Sequence, residues 1–178
     1  MQLMNSKDKY GVVTKLLHGL IALTIIAQIV LGILTQYTSK QTFMTIMMVH
    51  KSIGLILLVL AVIFIGWRIM NVKPQWPNSM PDKERFLARL THLLMYIVLF
   101  CMPLSGWIMA TASGHIPNFF NLFEAPTPFV SLNKPLAGFM SQAHEFMAWT
   151  LGVLIVLHIL GALKHHFIDK NDILKRMF

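Results

Sequence analysis

Four stretches of this sequence are apolar for long enough to cross a hydrocarbon core of about 30 Å as helices. Taking charged residues as their limits, they fall at about residues 14–36, 43–70, 88–112 and 141–167. Lys15 and Lys40 bracket the uncharged run of the first, Lys51 and Arg68 lie near the ends of the second, Arg89 precedes the third, and Glu145 and Lys164 lie near the ends of the fourth. Apolar residues occur on every face, as helices surrounded by lipid require. With 56% hydrophobic residues and a mean hydropathy of +0.63, the chain of 178 residues is too apolar for a soluble domain. The sequence predicts an all-α, integral membrane four-helix bundle, antiparallel and up-and-down, as one domain over residues 1–178. Pro103, inside the third span, is expected to kink it.

Charge gives the bundle a direction. Lys7, Lys9 and Lys15 precede the first span, Arg68, Lys73, Lys83, Arg85 and Arg89 surround the second connection, and Lys164, Lys170, Lys175 and Arg176 close the chain. Only Lys40, Lys51 and Lys134 belong to the opposite side, so the positive-inside bias puts both termini in the cytoplasm. The net charge of +8 is then largely this bias plus attraction to anionic lipid, and nucleic acid is not an expected partner. The first apolar run is too long for a signal peptide and lacks a clear cleavage site, so it is expected to stay in the mature protein. Cys101 is the single cysteine; it permits neither an intramolecular disulfide nor a Cys-based metal site.

Within these spans the histidines sort by depth. His18 follows Lys15 by about one turn, and His158 precedes Lys164, so both belong near the inner surface. His50 opens the second helix and His144 the fourth from the outside. Two level pairs result, His18 with His158 and His50 with His144. On the fourth helix the interval between His144 and His158 is close to four turns, so their imidazoles return to nearly one face, roughly 21 Å apart. Histidine inside a membrane is expensive enough to mark a functional site.

Haem suits two bis-histidine sites best, because iron takes axial imidazoles from facing helices of a bundle. Zinc would want three or four ligands including Cys or carboxylate, which are absent at these depths. Gly54 and Gly161 share the faces of His50 and His158, and Gly19 adjoins His18; they give room for a flat macrocycle, or simply let helices pack closely. Haem propionates would seek cations: Lys51 outside, and Lys15, Arg68 and Lys164 inside, although snorkelling and topology explain the same charges. His165 and His166 are candidates for bonding a propionate or delivering protons, or are interfacial residues ending a helix. His92 enters the third helix without a level partner and reads as a hydrogen-bonded bundle residue rather than a quinone contact.

The strings Val49-His50-Lys51-Ser52-Ile53-Gly54, Pro103-Leu104-Ser105-Gly106-Trp107, His144-Glu145 and Lys164-His165-His166-Phe167-Ile168-Asp169, in this order and spacing, resemble the bacterial cytochrome b561 family. The resemblance covers roughly Lys9 to Met177. It implies a protein of the bacterial inner membrane with two haem b groups, ligated at His18, His50, His144 and His158, that exchanges electrons with quinone, of which ubiquinone is the expected type. Gly19 departs from the tryptophan that commonly follows the first ligand in that family.

The function expected is transmembrane electron transfer between the membrane quinone pool and a periplasmic redox partner. Some members of the family oxidise superoxide and reduce ubiquinone, and Lys40, Lys51 and Lys134 could steer a small anion to the outer site. A superoxide:quinone oxidoreductase is therefore the enzyme alternative to a simple carrier. A membrane-anchor subunit of a periplasmic dehydrogenase or hydrogenase is the other. The loop from about Ser113 to Met140, with four prolines among Phe119, Phe120, Phe123 and Phe129, suits a lid over the outer haem.

Overall fold

The computed structural model describes residues 2–177; Met1 and Phe178 lie outside it. Four long helices form a bundle: α1 (Val12–Leu34), α2 (Lys40–Met70), α3 (Asp82–Ala112) and α4 (Lys134–Phe167). Among the described residues these four are long and apolar enough to cross a membrane. Short 3-10 turns follow α1 at Thr35–Tyr37 and close the chain at Leu174–Met177. Between α3 and α4 a two-stranded hairpin pairs β1 (Asn118–Phe119) with β2 (Phe123–Glu124).

Three helices start at least three residues earlier than hydropathy alone predicts, α2 at Lys40, α3 at Asp82 and α4 at Lys134. The reason is that capping chemistry, not apolarity, sets a helix start. Ser39 caps α2, Asn133 Oδ1 accepts the Leu136 amide at 3.0 Å with Pro135 in the first turn of α4, and Asp82 and Glu84 lie in the first turn of α3, favourable to the helix dipole. Polar turns thus extend each helix past its apolar run, and the predicted loop 113–140 shortens to 113–133. Pro103 lies within α3, which continues through it.

Helices α3 and α4 pack most extensively, then α1 with α2 and α2 with α3. Both chain ends meet the α2–α3 connection. Asn5 organises this terminus end: its amide donates to Asn71 Oδ1 (3.1 Å), its Nδ2 donates to the Val72 carbonyl (3.0 Å), and its Oδ1 accepts from Gly11 N (2.9 Å) and Thr14 Oγ1 (2.7 Å). Trp67 Nε1 donates to Thr14 Oγ1 at 2.8 Å, which carries the network onto α2. Gly11 cannot be replaced here, because a Cβ would run into the backbone of Leu3 and Met4.

The terminus end has a second clasp. Lys164 Nζ lies 2.5 Å from Glu84 Oε1 and 3.0 Å from Asp169 Oδ2, and His165 Nδ1 lies 2.7 Å from Asp169 Oδ2. It joins the start of α3 to the end of α4. The hydrogen bond from Lys164, with a further one from His165, holds the Asp169 carboxyl below its usual range. Its stabilising contribution is present above the ordinary aspartate pKa of about 3.9 and is lost as pH falls through the lowered folded value. In detergent, the melting temperature of wild-type protein should therefore drop further between about pH 5 and pH 3 than that of Asp169→Asn. Parallel curves for the two proteins would refute the clasp.

At the opposite end the hairpin is fastened into the bundle. Ser52 Oγ, fully buried, accepts the Phe120 amide at 2.9 Å, Lys51 Nζ donates to the His115 carbonyl at 3.0 Å, and Trp107 Nε1 donates to the Ala125 carbonyl at 2.7 Å. Phe120 and Asn121 turn the hairpin in the left-handed region, at φ 47° and 61°, which the primed turns of tight hairpins demand. The apolar core of Ile21, Ile25, Leu57, Ala61, Val98, Leu99, Leu151 and Leu154 lies midway along the bundle. Many of the other Leu, Ile and Val side chains of the spans are exposed, where lipid would cover them.

Candidate functional site

Two histidine pairs lie at the two ends of this core. His18 of α1 and His158 of α4 face each other with ring centroids 6.2 Å apart at the terminus end. His50 of α2 and His144 of α4 do so at 6.4 Å at the hairpin end. All four are half-buried. Neither α1 with α4 nor α2 with α4 is among the closely packed helix pairs, so each pair reaches across a gap that the backbones leave open.

A fourteen-residue interval aligns the layers. It separates His144 from His158, and equally His18 from Gly32, His92 from Gly106 and His50 from Phe64. A Cβ on Gly106 would lie 2.9 Å from His144 Cε1 and 3.1 Å from its Nδ1, so only glycine lets the imidazole sit against α3. A Cβ on Gly32 would make ordinary contact with His50 Cε1 at 3.8 Å. The hairpin-end layer is thus lined by two histidines and two glycines. The terminus-end layer holds His92 in addition, its ring 5.1 Å from that of His158 and its Nδ1 2.6 Å from the Ala88 carbonyl.

His92 therefore has the level partner that the sequence did not assign to it. Counting two pairs left no slot for a fifth histidine, although its distance from Arg89 equals that of His18 from Lys15. Phe64 packs edge-on to Tyr96 at 6.0 Å, and Tyr96 stands 6.5 Å from His92, completing an aromatic wall at this level.

The donor set fits haem. Two imidazoles, each bonded through one nitrogen to a single iron at about 2 Å, hold their centroids about 6 Å apart, as both pairs do. A ligating imidazole needs its other nitrogen held by an acceptor. His144 Nδ1 lies 2.9 Å from the Met102 carbonyl, which can only accept, so Nδ1 carries the proton and Nε2 is free to ligate. Ser105 Oγ, which donates to the same carbonyl at 2.7 Å, stands 3.1 Å from Nδ1. A compact ion site fits less well. Among the described residues, Glu84, His165 and Asp169 are the group of three potential ligands whose donor atoms lie within 4.8 Å of one another, and no such trio forms at either histidine layer.

The other sequence candidates are distributed as follows. Arg68 lies 5.8 Å from the Tyr10 ring centroid, and its Nη1 is buried without a partner among the described residues, leaving a donor available to an anion. Lys51 is engaged with the hairpin, and Lys164 and His165 belong to the clasp with Glu84 and Asp169. Gly161 and Gly19 have open space where a Cβ would stand, whereas a Cβ on Gly54 would lie 3.1 Å from Gln28 Nε2. Sequence reasoning gave no role to Gln28, Gly32, Ser105 or Gly106. The repeated interval of fourteen would have found both glycines.

Comparison with known proteins identifies the family of the chain. Residues 9–178 match the family described as prokaryotic cytochrome b561. The chain is 35% identical over 179 residues to cytochrome b561 homolog 2 of Escherichia coli (strain K12), covering 99% of this chain and 95% of that protein. It is 33% identical over 99 residues to cytochrome b561 homolog 1 of the same organism, covering 54% of each. The chain belongs to the prokaryotic cytochrome b561 family.

Proposed function

We propose that this protein is a di-haem b electron carrier of the bacterial inner membrane, exchanging electrons between the quinone pool and a redox partner on the periplasmic side. Membership of the family implies haem b electron transfer. The observation that carries the finer reading is the presence of two imidazole pairs, at 6.2 and 6.4 Å, at opposite ends of one bundle. In it, His18 and His158 hold one haem, and His50 and His144 the other. Haem b, when bound, supplies a one-electron iron couple.

The chain's own residues supply the rest. The Met102 carbonyl fixes the tautomer of His144, and the unpaired Arg68 Nη1 offers a charged donor to a propionate at the terminus end. The apolar core between the layers excludes water from the path, and the fastened hairpin limits access at its end. By the positive-inside rule the terminus end faces the cytoplasm and the hairpin end the periplasm. Purified protein should contain two haems per chain by pyridine haemochrome, and anaerobic ubiquinol should reduce them. One haem or none, or no response to ubiquinol, would sink the corresponding part of the reading.

A second reading, superoxide oxidation coupled to quinone reduction, draws on the hairpin end. The hairpin favours a small reagent over a docked protein, and Lys40 and Lys134 remain exposed near the starts of α2 and α4 to attract an anion. Stopped-flow mixing of oxidised protein with superoxide should then reduce the haems faster than the spontaneous background. Equal rates would discard it.

A further inference from the structure

Two buried polar atoms beside the hairpin-end pair lack partners among the described residues, and they are complementary: the acceptor Gln28 Oε1 and His50 Nδ1. Gln28 is only 7% exposed, in the core of a membrane bundle where unmet polar groups are strongly disfavoured. It already touches His50, since its Nε2 donates to the His50 carbonyl at 2.9 Å. Gly54 admits the carboxamide, because a Cβ there would lie 3.1 Å from Nε2. One turn further along α1, Gly32 faces His50 Cε1, the carbon between the two ring nitrogens. A single face of α1 therefore meets both the backbone and the ring of His50.

The opposing histidine shows what is missing. His144 has its Nδ1 held by the Met102 carbonyl, whereas His50 Nδ1 has no such acceptor among the described residues. We propose that Gln28 is the positioning residue of His50: its Oε1 receives the Nδ1 proton, directly after a small turn of the carboxamide or across one buried water, and leaves Nε2 to ligate. The inference rests on His50 and His144 being haem ligands. A buried water meets the same geometry, accepting from Nδ1–H and donating to Oε1.

An acceptor on the far nitrogen makes a ligating imidazole more basic and favours ferric over ferrous iron. The test uses full-length, haem-loaded protein with Gln28→Met, which keeps the volume but removes the acceptor, and Gln28→Glu, which strengthens it. Potentiometric titration should show one of two midpoint potentials rising in Gln28→Met and falling in Gln28→Glu, with the other unmoved. The electron paramagnetic resonance signal of that haem alone should shift. If Gln28→Met sheds that haem, its restoration in Gln28→Glu supports the same role. Two bound haems with unchanged potentials and spectra in both variants would overturn the proposal, as would shifts of the same sign, which a merely structural role predicts. Retention of both haems in His50→Ala would instead overturn the ligand assignment.

Discussion

Replacing His144 with alanine should reduce the haem content from two to one and leave the remaining haem low-spin. The substitution removes one ring of the 6.4 Å pair and strands His50, while the His18–His158 pair, fourteen residues along α4, keeps both rings. The reduced-minus-oxidised spectrum should lose about half its amplitude, and a potentiometric titration should lose one of its two components. His18→Ala is the reciprocal experiment and should remove the other component. Because α4 contributes to both layers, the paired result also tests whether the layers are independent. Two low-spin haems in His144→Ala would show the pairing to be wrong.

Gly106→Val should weaken binding of the same haem without touching a ligand. The first atom of the new side chain would lie 2.9 Å from His144 Cε1, closer than real Cβ contacts come, and the neighbour is a ring rather than a flexible end. That ring is held to the same helix, through its Nδ1, by the Met102 carbonyl, so it cannot retreat from α3 without losing the bond that fixes its tautomer. Overpacking of this kind costs about 1–3 kcal/mol, or roughly a 5- to 150-fold loss of affinity for that haem. Gly138→Ala, where the added atom meets open space at the exposed start of α4, is the control and should retain both haems. Equal haem content in Gly106→Val and wild type, with unchanged spectra, would contradict the close approach of α3 to His144.

The spans and the two levels of histidine were legible because lipid imposes length and apolarity on each helix, and lysines and arginines mark its ends. Helix starts at Lys40, Asp82 and Lys134 were less so, since they depend on caps outside the apolar run. Cations were read by charge alone. Lys164 and Lys51 looked equivalent to Arg68 in sequence, yet Lys164 meets Glu84 from the start of α3 as well as its near neighbour Asp169, and Lys51 meets a loop carbonyl. The roles of Gly106 and Gln28 are relations between helices, and the pattern of one helix does not contain them. His92 was legible by depth but was passed over because two pairs already closed the count.

The shared interval of fourteen makes the spacing of the two levels a quantised property of the bundle. One residue inserted between His144 and His158 would swing the lower imidazole by about 100° and out of its gap, so small length changes are all-or-none in effect. A larger separation would need about two whole turns added to every helix in concert, near seven residues each, or about 10 Å at once. Side-chain substitution can retune each level freely; their distance can change only in steps, and only if all four helices take the step together.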